Sequence, residues 1–203
     1  MGKIKDKYDS LSPVYDFLDL VPEALFYRRW RRCLWEERFA GKILEIGIGT
    51  GKNTPYYPSG SDITGIDIST RMLEKASKRI RKRSDIVFSM LTMDAASLAF
   101  ADNTFDVIAG SFIFTVLENN SDTLEEIKRV GKSGGILVLL EFVRSSSRFS
   151  AMFQDFLVHF TSPVYGAIIN RDLLSLIGNA GFQNITATGV GDGIVMIIRA
   201  NIP

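Results

Sequence analysis

Cysteine and histidine are almost absent from this 203-residue chain: Cys33 is the only cysteine and His159 the only histidine. A single cysteine closes no intramolecular disulfide, and no His, Cys or acidic cluster stands at metal-ligand spacing. Long hydrophobic runs are missing as well. No stretch approaches the roughly 18 apolar residues of a membrane-spanning helix, and Met1 is not followed by the basic start and apolar core of a leader peptide. The expectation is a cytoplasmic protein of a reducing compartment, able to meet a membrane only peripherally, at the inner face. Charge of one sign is also lacking: 24 Lys and Arg against 23 Asp and Glu leave a formal net charge of +1. That balance gives no basis for a nucleic-acid partner. Internal repeats and low-complexity tracts are absent.

What is present is ordinary globular material, 46% hydrophobic and 23% charged, at a length that fits one domain. From Lys42 onward, apolar runs rich in Ile and Val alternate with helical patterns, the rhythm of βαβ units around a parallel sheet. Strands are predicted at Lys42–Ile46, Asp62–Asp67, Asp85–Met90, Phe105–Ser111 and Gly135–Phe142. Two more, Gln183–Thr188 and Gly193–Arg199, form a closing antiparallel hairpin around Gly189, Gly191 and Gly193. Ser69 is a cap for a helix running to about Arg83, and Ser121 or Asp122 for one ending before Gly131. Asp172–Asn179 reads as a third helix, stopped at Gly181. The fold class is α/β: a doubly wound, seven-stranded, mostly parallel sheet with helices on both faces. Residues 1–40 form a helical cap, 41–145 the core, 146–180 a helical substrate-side insertion and 181–203 the hairpin.

The most informative segment is Glu45-Ile46-Gly47-Ile48-Gly49-Thr50-Gly51, which follows an apolar strand and leads through a polar turn into an expected helix. Its glycines permit a sharp turn and a close approach of backbone to ligand. A dinucleotide-binding loop carries its third glycine one position later, where this chain has Lys52. Asp67 ends the second strand about twenty residues on, where a carboxylate accepts from both ribose hydroxyls.

The pattern E-x-G-x-G-x-G resembles that of class I S-adenosylmethionine-dependent methyltransferases. Asp94-Ala95 resembles that superfamily's adenine-proximal motif, Phe105-Asp106-Val107-Ile108 its fourth strand, and Leu124 to Val130 before Ser133-Gly134-Gly135 its helix and turn into the fifth. The resemblance covers roughly residues 40 to 145. It implies a Rossmann-like fold and S-adenosylmethionine as cofactor, with S-adenosylhomocysteine as product. The cofactor residues it implies are Glu45, Gly47, Gly49, Gly51, Asp67, Ile68, Met72, Asp94, Ala95 and Ser111. Glu45 is expected at the cofactor's amine, and Met72 and Leu98 over the adenine ring.

The flanks resemble the quinone-biosynthesis C-methyltransferases, through Tyr8-Asp9-Ser10-Leu11-Ser12-Pro13-Val14-Tyr15-Asp16, Tyr27 to Arg32, Leu140-Glu141-Phe142 and Gly193-Ile194-Val195. The chain departs from them after the fourth strand, where a Leu-Arg-Asn-Val stretch is replaced by Phe112-Ile113-Phe114-Thr115-Val116-Leu117. With Tyr56 to Gly60, that apolar loop is similar to bacterial phospholipid N-methyltransferases and related lipid-associated thiol methyltransferases. Both branches imply a small apolar acceptor, a quinone-type ring carbon or a phospholipid amine.

Phe149, Met152, Phe153, Phe156, Leu157 and Phe160 recur at helical spacing, either as core or as an acceptor pocket or membrane contact. Phe153 and Phe156, with Tyr8 and Phe112, are the candidate substrate residues. Methyl transfer needs orientation more than a nucleophile. If a base is used, the candidates are Tyr15, with its hydroxyl aimed at the acceptor, and His159. Arg28, Arg29, Arg31 and Arg32 are either a solvated face or a contact for anionic headgroups, whereas Lys75 to Arg83 reads as surface. The chemistry is expected to be metal-independent. Two rivals stand beside it: a binding or assembly subunit without turnover, and an NAD-dependent oxidoreductase. The oligomeric state has no sequence signal.

Overall fold

The computed structural model describes residues 2–37, 39–117, 119–143, 172–190 and 195–203. Seven strands form one sheet: β1 (Lys42–Ile46), β2 (Asp62–Asp67), β3 (Val87–Thr92), β4 (Phe105–Ser111), β5 (Gly131–Phe142), β6 (Gln183–Val190) and β7 (Val195–Asn201). Their order is β3-β2-β1-β4-β5-β7-β6. β1 to β5 pair in parallel, while β7 runs antiparallel to both β5 and β6. The helices are α1 (Gly2–Leu18), α2 (Leu20–Pro22), α3 (Arg28–Trp35), α4 (Thr70–Ile80), α5 (Asn120–Val130) and α6 (Leu173–Asn179), with a π-helical turn, Glu23–Tyr27, leading into α3. None is long and apolar enough to cross a membrane.

Successive strand side chains point to opposite faces, so strands buried on both sides are apolar throughout. Ile43, Ile63, Val107, Val138 and Ile197 meet Trp30, Leu34 and Trp35 of α3 on one face. Leu44, Ile66, Ile108, Leu137 and Ile198 meet Leu124 and Ile127 of α5 and Ile177 of α6 on the other. Leu73 and Ala76 bring α4 onto Ile48.

Several expectations are corrected. β3 begins two residues late, at Val87, and β5 begins early, at Gly131. α5 is capped by Asn119, whose side chain accepts from the N–H of Asp122 at 3.2 Å, so neither Ser121 nor Asp122 is the cap. α4 stops at Ile80, and Arg83 turns away to donate to the carbonyls of Thr54 and Tyr57 and to Asp85. After β1 there is only a 3-10 turn, Thr54–Tyr56, because Pro55 and Pro58 interrupt helical hydrogen bonding. The basic residues of α4 are not plain surface: Lys75 donates to the carbonyl of Ser12 in α1, and Arg79 to the carbonyl of Thr50 and to Asp16. Phe153, Phe156, His159 and the rest of the aromatic stripe lie outside the described residues, as does most of 146–180.

Glu141, near the end of β5, is fully buried. Its Oε1 accepts from the N–H groups of Ile113 at 2.7 Å and Phe114 at 2.8 Å, closing the turn that follows β4. Its Oε2 has no partner among the described residues. Burial, opposed by those backbone donors, pushes the carboxyl from 4.5 to about 8. A carboxyl raised in the native state makes its contribution when protonated: it is fully present below pH 4.5 and lost as pH rises to about 8. Glu141→Gln, neutral at every pH, is expected to flatten that decline in urea-unfolding midpoints; equal pH slopes in both proteins would contradict this.

Candidate active site

A cavity of about 220 Å³ opens at the carboxyl ends of β1, β2 and β4. It sits where the strand order turns from β1 outward on one side to β4 on the other, which is where open α/β sheets leave a crevice. Four loops and the cap line it. The loops contribute Gly47 to Thr50, Asp67 and Ile68, Met93 to Ala96, and Ser111 to Ile113; the cap contributes Tyr8, Tyr15 and Arg31. Met72, Val116 and Leu117 complete much of the apolar wall.

Asp67 is half-buried and organises the acidic flank. Its Oδ2 accepts from the N–H of Gly49 at 2.8 Å and its Oδ1 from the N–H of Ser69 at 2.9 Å. These bonds tie the β1 and β2 loops together. Burial raises the carboxyl to about 6, with the Ser69 and Gly49 donors pulling the other way. Gly49 has φ 56°, and a Cβ built on it meets no atom within 4 Å, so its face opens onto the cavity. Gly51 does not line the cavity. A Cβ there would stand 3.0 Å from the Cα of Ala76, so its lack of a side chain serves the packing of α4. Asp94 lies next along this flank, its Oδ1 accepting from the N–H of Ala96 at 2.9 Å. Leu98 is core and does not line the cavity.

Glu45 is placed differently from its expected position at a cofactor amine. It lies beneath the cavity, where its Oε1 accepts from Asn53 Nδ2 at 2.5 Å and its Oε2 from the hydroxyl of Tyr57. Burial raises its pKa, against the pull of Tyr57 and Asn53. Asn53 also donates to Ser111 Oγ at 3.0 Å and accepts from Arg31 Nη1 at 3.0 Å. Arg31 is therefore buried in the site, apart from the surface arginines beside it in α3. Sequence reasoning missed Arg31 and Asn53 as site residues, since a contact spanning 22 positions leaves no local pattern.

The cap lies over this floor. Tyr8 and Tyr15 stand 6.4 Å apart, and Lys52 Nζ lies 5.3 Å from the centre of the Tyr15 ring. Asp16 accepts from Thr50 Oγ1 at 2.8 Å, Lys52 pairs with Asp19 at 2.7 Å, and Ser69 Oγ donates to Asp9 at 2.5 Å. Phe112 follows β4 with φ 58°, a conformation costing a non-glycine residue on the order of 1 to 3 kcal/mol. Its ring is held 5.2 Å from Tyr27 and 4.9 Å from Phe142, with Arg31 over it at 5.3 Å. The result is one cavity with carboxylates on the β2–β3 side and an arginine, an amide and an apolar wall on the β4 side.

Residues 44–139 match the methyltransferase domain family. The chain is 34% identical over 181 residues to the ubiquinone/menaquinone biosynthesis C-methyltransferase of Geotalea daltonii, covering 83% of this chain and 75% of that protein. It is 33% identical over 114 residues to the phosphatidylethanolamine N-methyltransferase of Cereibacter sphaeroides, covering 55% and 56%. Among solved structures, a SAM-dependent methyltransferase of Thermotoga maritima, a possible histamine N-methyltransferase, superposes with a TM-score of 0.75 at 22% identity, covering 98% of this chain and 100% of that one. Fold, cavity and relatives agree: the chain belongs to the S-adenosylmethionine-dependent methyltransferases, in the family that includes the quinone-biosynthesis C-methyltransferases.

Proposed function

We propose that this methyltransferase passes the methyl group of S-adenosylmethionine to a small apolar acceptor at a membrane surface, a quinone-type ring carbon or a phospholipid amine. The observation that carries this reading is the apolar wall of Phe112, Ile113, Val116 and Leu117 in the same cavity as Asp67 and Asp94. The names of the two relatives support it, one acting in quinone biosynthesis and the other on phosphatidylethanolamine.

The residues present fit the cofactor. Asp67 would accept from the ribose hydroxyls, and Asp94 from the adenine amine, with Ile68, Met72 and Ala95 as apolar neighbours. The open face of Gly49 would take the methionine portion, Gly47 packs against Ile113 and lets the loop turn, and Arg31 would complement the cofactor's carboxylate. Glu45 serves from below by fixing Asn53, which orients both Arg31 and Ser111. The bound sulfonium supplies an activated methyl group, and what the protein adds is alignment, which can supply about 7 to 11 kcal/mol in a displacement of this kind. Tyr8 and Phe112 flank the acceptor, and Tyr15 holds its polar group or takes its proton. Phe153 and Phe156 keep their proposed substrate roles, and His159 its proposed role as a base.

The direct test incubates the protein and methyl-labelled S-adenosylmethionine with extract of the source cells, then partitions the label. Label in the organic phase is expected, and label confined to water would overturn the apolar acceptor. Asp67→Ala is expected to weaken S-adenosylhomocysteine binding by about 1.5 to 3 kcal/mol, roughly ten- to a hundredfold, measured by calorimetry. The ribose donors need the ionised carboxylate, so wild-type affinity should rise as pH passes up through about 6 and then level off. An affinity flat across that range would remove Asp67 from the ribose.

A further inference from the structure

Six large apolar side chains stand exposed in one stretch of the cap: Val14, Phe17, Leu20, Val21, Leu25 and Phe26. Phe17 is 77% exposed and Leu25 66%, and elsewhere among the described residues only Val87 and Leu91 join them as large exposed hydrophobics. A concentration of this kind marks an interaction surface, whereas scattered apolar residues do not.

The acids of the same stretch do not break it up, because they are turned inward. Asp16 binds Thr50 and Arg79, Asp19 binds Lys52, and Glu23 pairs with Arg31 at 3.3 Å. Their negative charge is neutralised against the core, and the outer surface is left apolar. The next helical turn then adds Arg28, Arg29 and Arg32, all exposed.

An apolar ridge bordered by exposed arginines is complementary to an anionic lipid surface. The boundary of an anionic bilayer takes aromatic and aliphatic side chains among its upper acyl groups and guanidinium groups among its phosphates. The ridge also adjoins the cavity. Tyr15, between Val14 and Phe17, lines it, and Tyr27, next to Phe26, packs on Phe112 of its wall. A bilayer seated on the ridge therefore lies beside the apolar wall.

We infer that the Val14–Phe26 ridge, with Arg28, Arg29 and Arg32, docks this protein on anionic phospholipid bilayers. The inference builds on the apolar-acceptor reading, but vesicle binding is read without cofactor or turnover, so the two fail separately.

The test is flotation of the full chain with vesicles of equal parts phosphatidylglycerol and phosphatidylcholine, and with phosphatidylcholine alone. The wild-type protein is expected to float with the anionic vesicles and to be released by salt. Phe17→Ser combined with Leu25→Ser should lower binding at least about tenfold, and Arg28→Gln, Arg29→Gln and Arg32→Gln together by on the order of ten- to a hundredfold. Both variants should bind S-adenosylhomocysteine as the wild type does, which separates lost docking from lost folding. Failure of the wild type to float, or variants that float equally well, would overturn the inference. So would a dimer abolished by Phe17→Ser with no vesicle binding, which would assign the ridge to a second copy of the chain.

Discussion

Everything in the site descends from the position of β1 between β2 and β4. Pairing β1 in parallel with both neighbours sends their carboxyl ends to one edge of the sheet, and the chain must leave that edge in opposite directions on either side. The loops after β1, β2 and β4 are thereby drawn apart and together at once. Their separation leaves the crevice, and their common edge puts Gly49, Asp67 and Ser111 around it. Asp67 then closes the arrangement from within by accepting from the N–H of Gly49, so a residue of the β2 loop sets the conformation of the β1 loop.

Buried polar groups hold the floor, and each has a defined task. Glu45, Tyr57, Asn53, Ser111 and Arg31 form one connected chain of hydrogen bonds, in which the carboxylate is satisfied by two donors. Such a network specifies one arrangement because any unpaired member is costly in a low-dielectric interior. Glu141 does the same for the turn after β4, using two backbone donors to hold Ile113 in the wall that Phe112 begins and Phe114 behind it. Above this floor, much of the hold of α1 comes from side-chain bonds of Asp9 and Asp16 and a donation from Lys75 to the carbonyl of Ser12. A hydrogen-bonded floor and a roof held by polar side chains thus enclose the cavity between them.

Much of this was legible in the sequence because it is local. β1, β2 and β4 match their expected bounds, since apolar runs flanked by polar turns mark strands buried on both faces. β3 lies two residues later than expected because it is an edge strand, exposed at Val87 and Leu91, whose inward face, Phe88 and Met90, is only half-buried and anchors the register weakly. Gly47, Gly49, Asp67, Ile68, Met72, Asp94, Ala95 and Ser111 all line the cavity, because each lies at the carboxyl end of a strand, in the loop that follows it or in the first turn of the helix beyond. Arg31, Asn53 and Lys52 were not legible as lining residues. Their places depend on how the cap folds back over the sheet, and α3 shows four similar arginines of which one turns inward. Glu141 enters the sequence reading only within Leu140-Glu141-Phe142, whereas the signal of its burial is a lone carboxylate inside the apolar run Ile136 to Phe142.

The central claim is that the crevice holds S-adenosylmethionine with its ribose at Asp67 and its adenine beside Asp94. A crystal structure of the protein grown with saturating S-adenosylhomocysteine tests it most directly. The account predicts density for the ribose hydroxyls within hydrogen-bonding distance of the Asp67 carboxylate and for the purine between Asp94 and Met72. Density lodged elsewhere on the chain, or a cavity holding only solvent under saturating ligand, would contradict it.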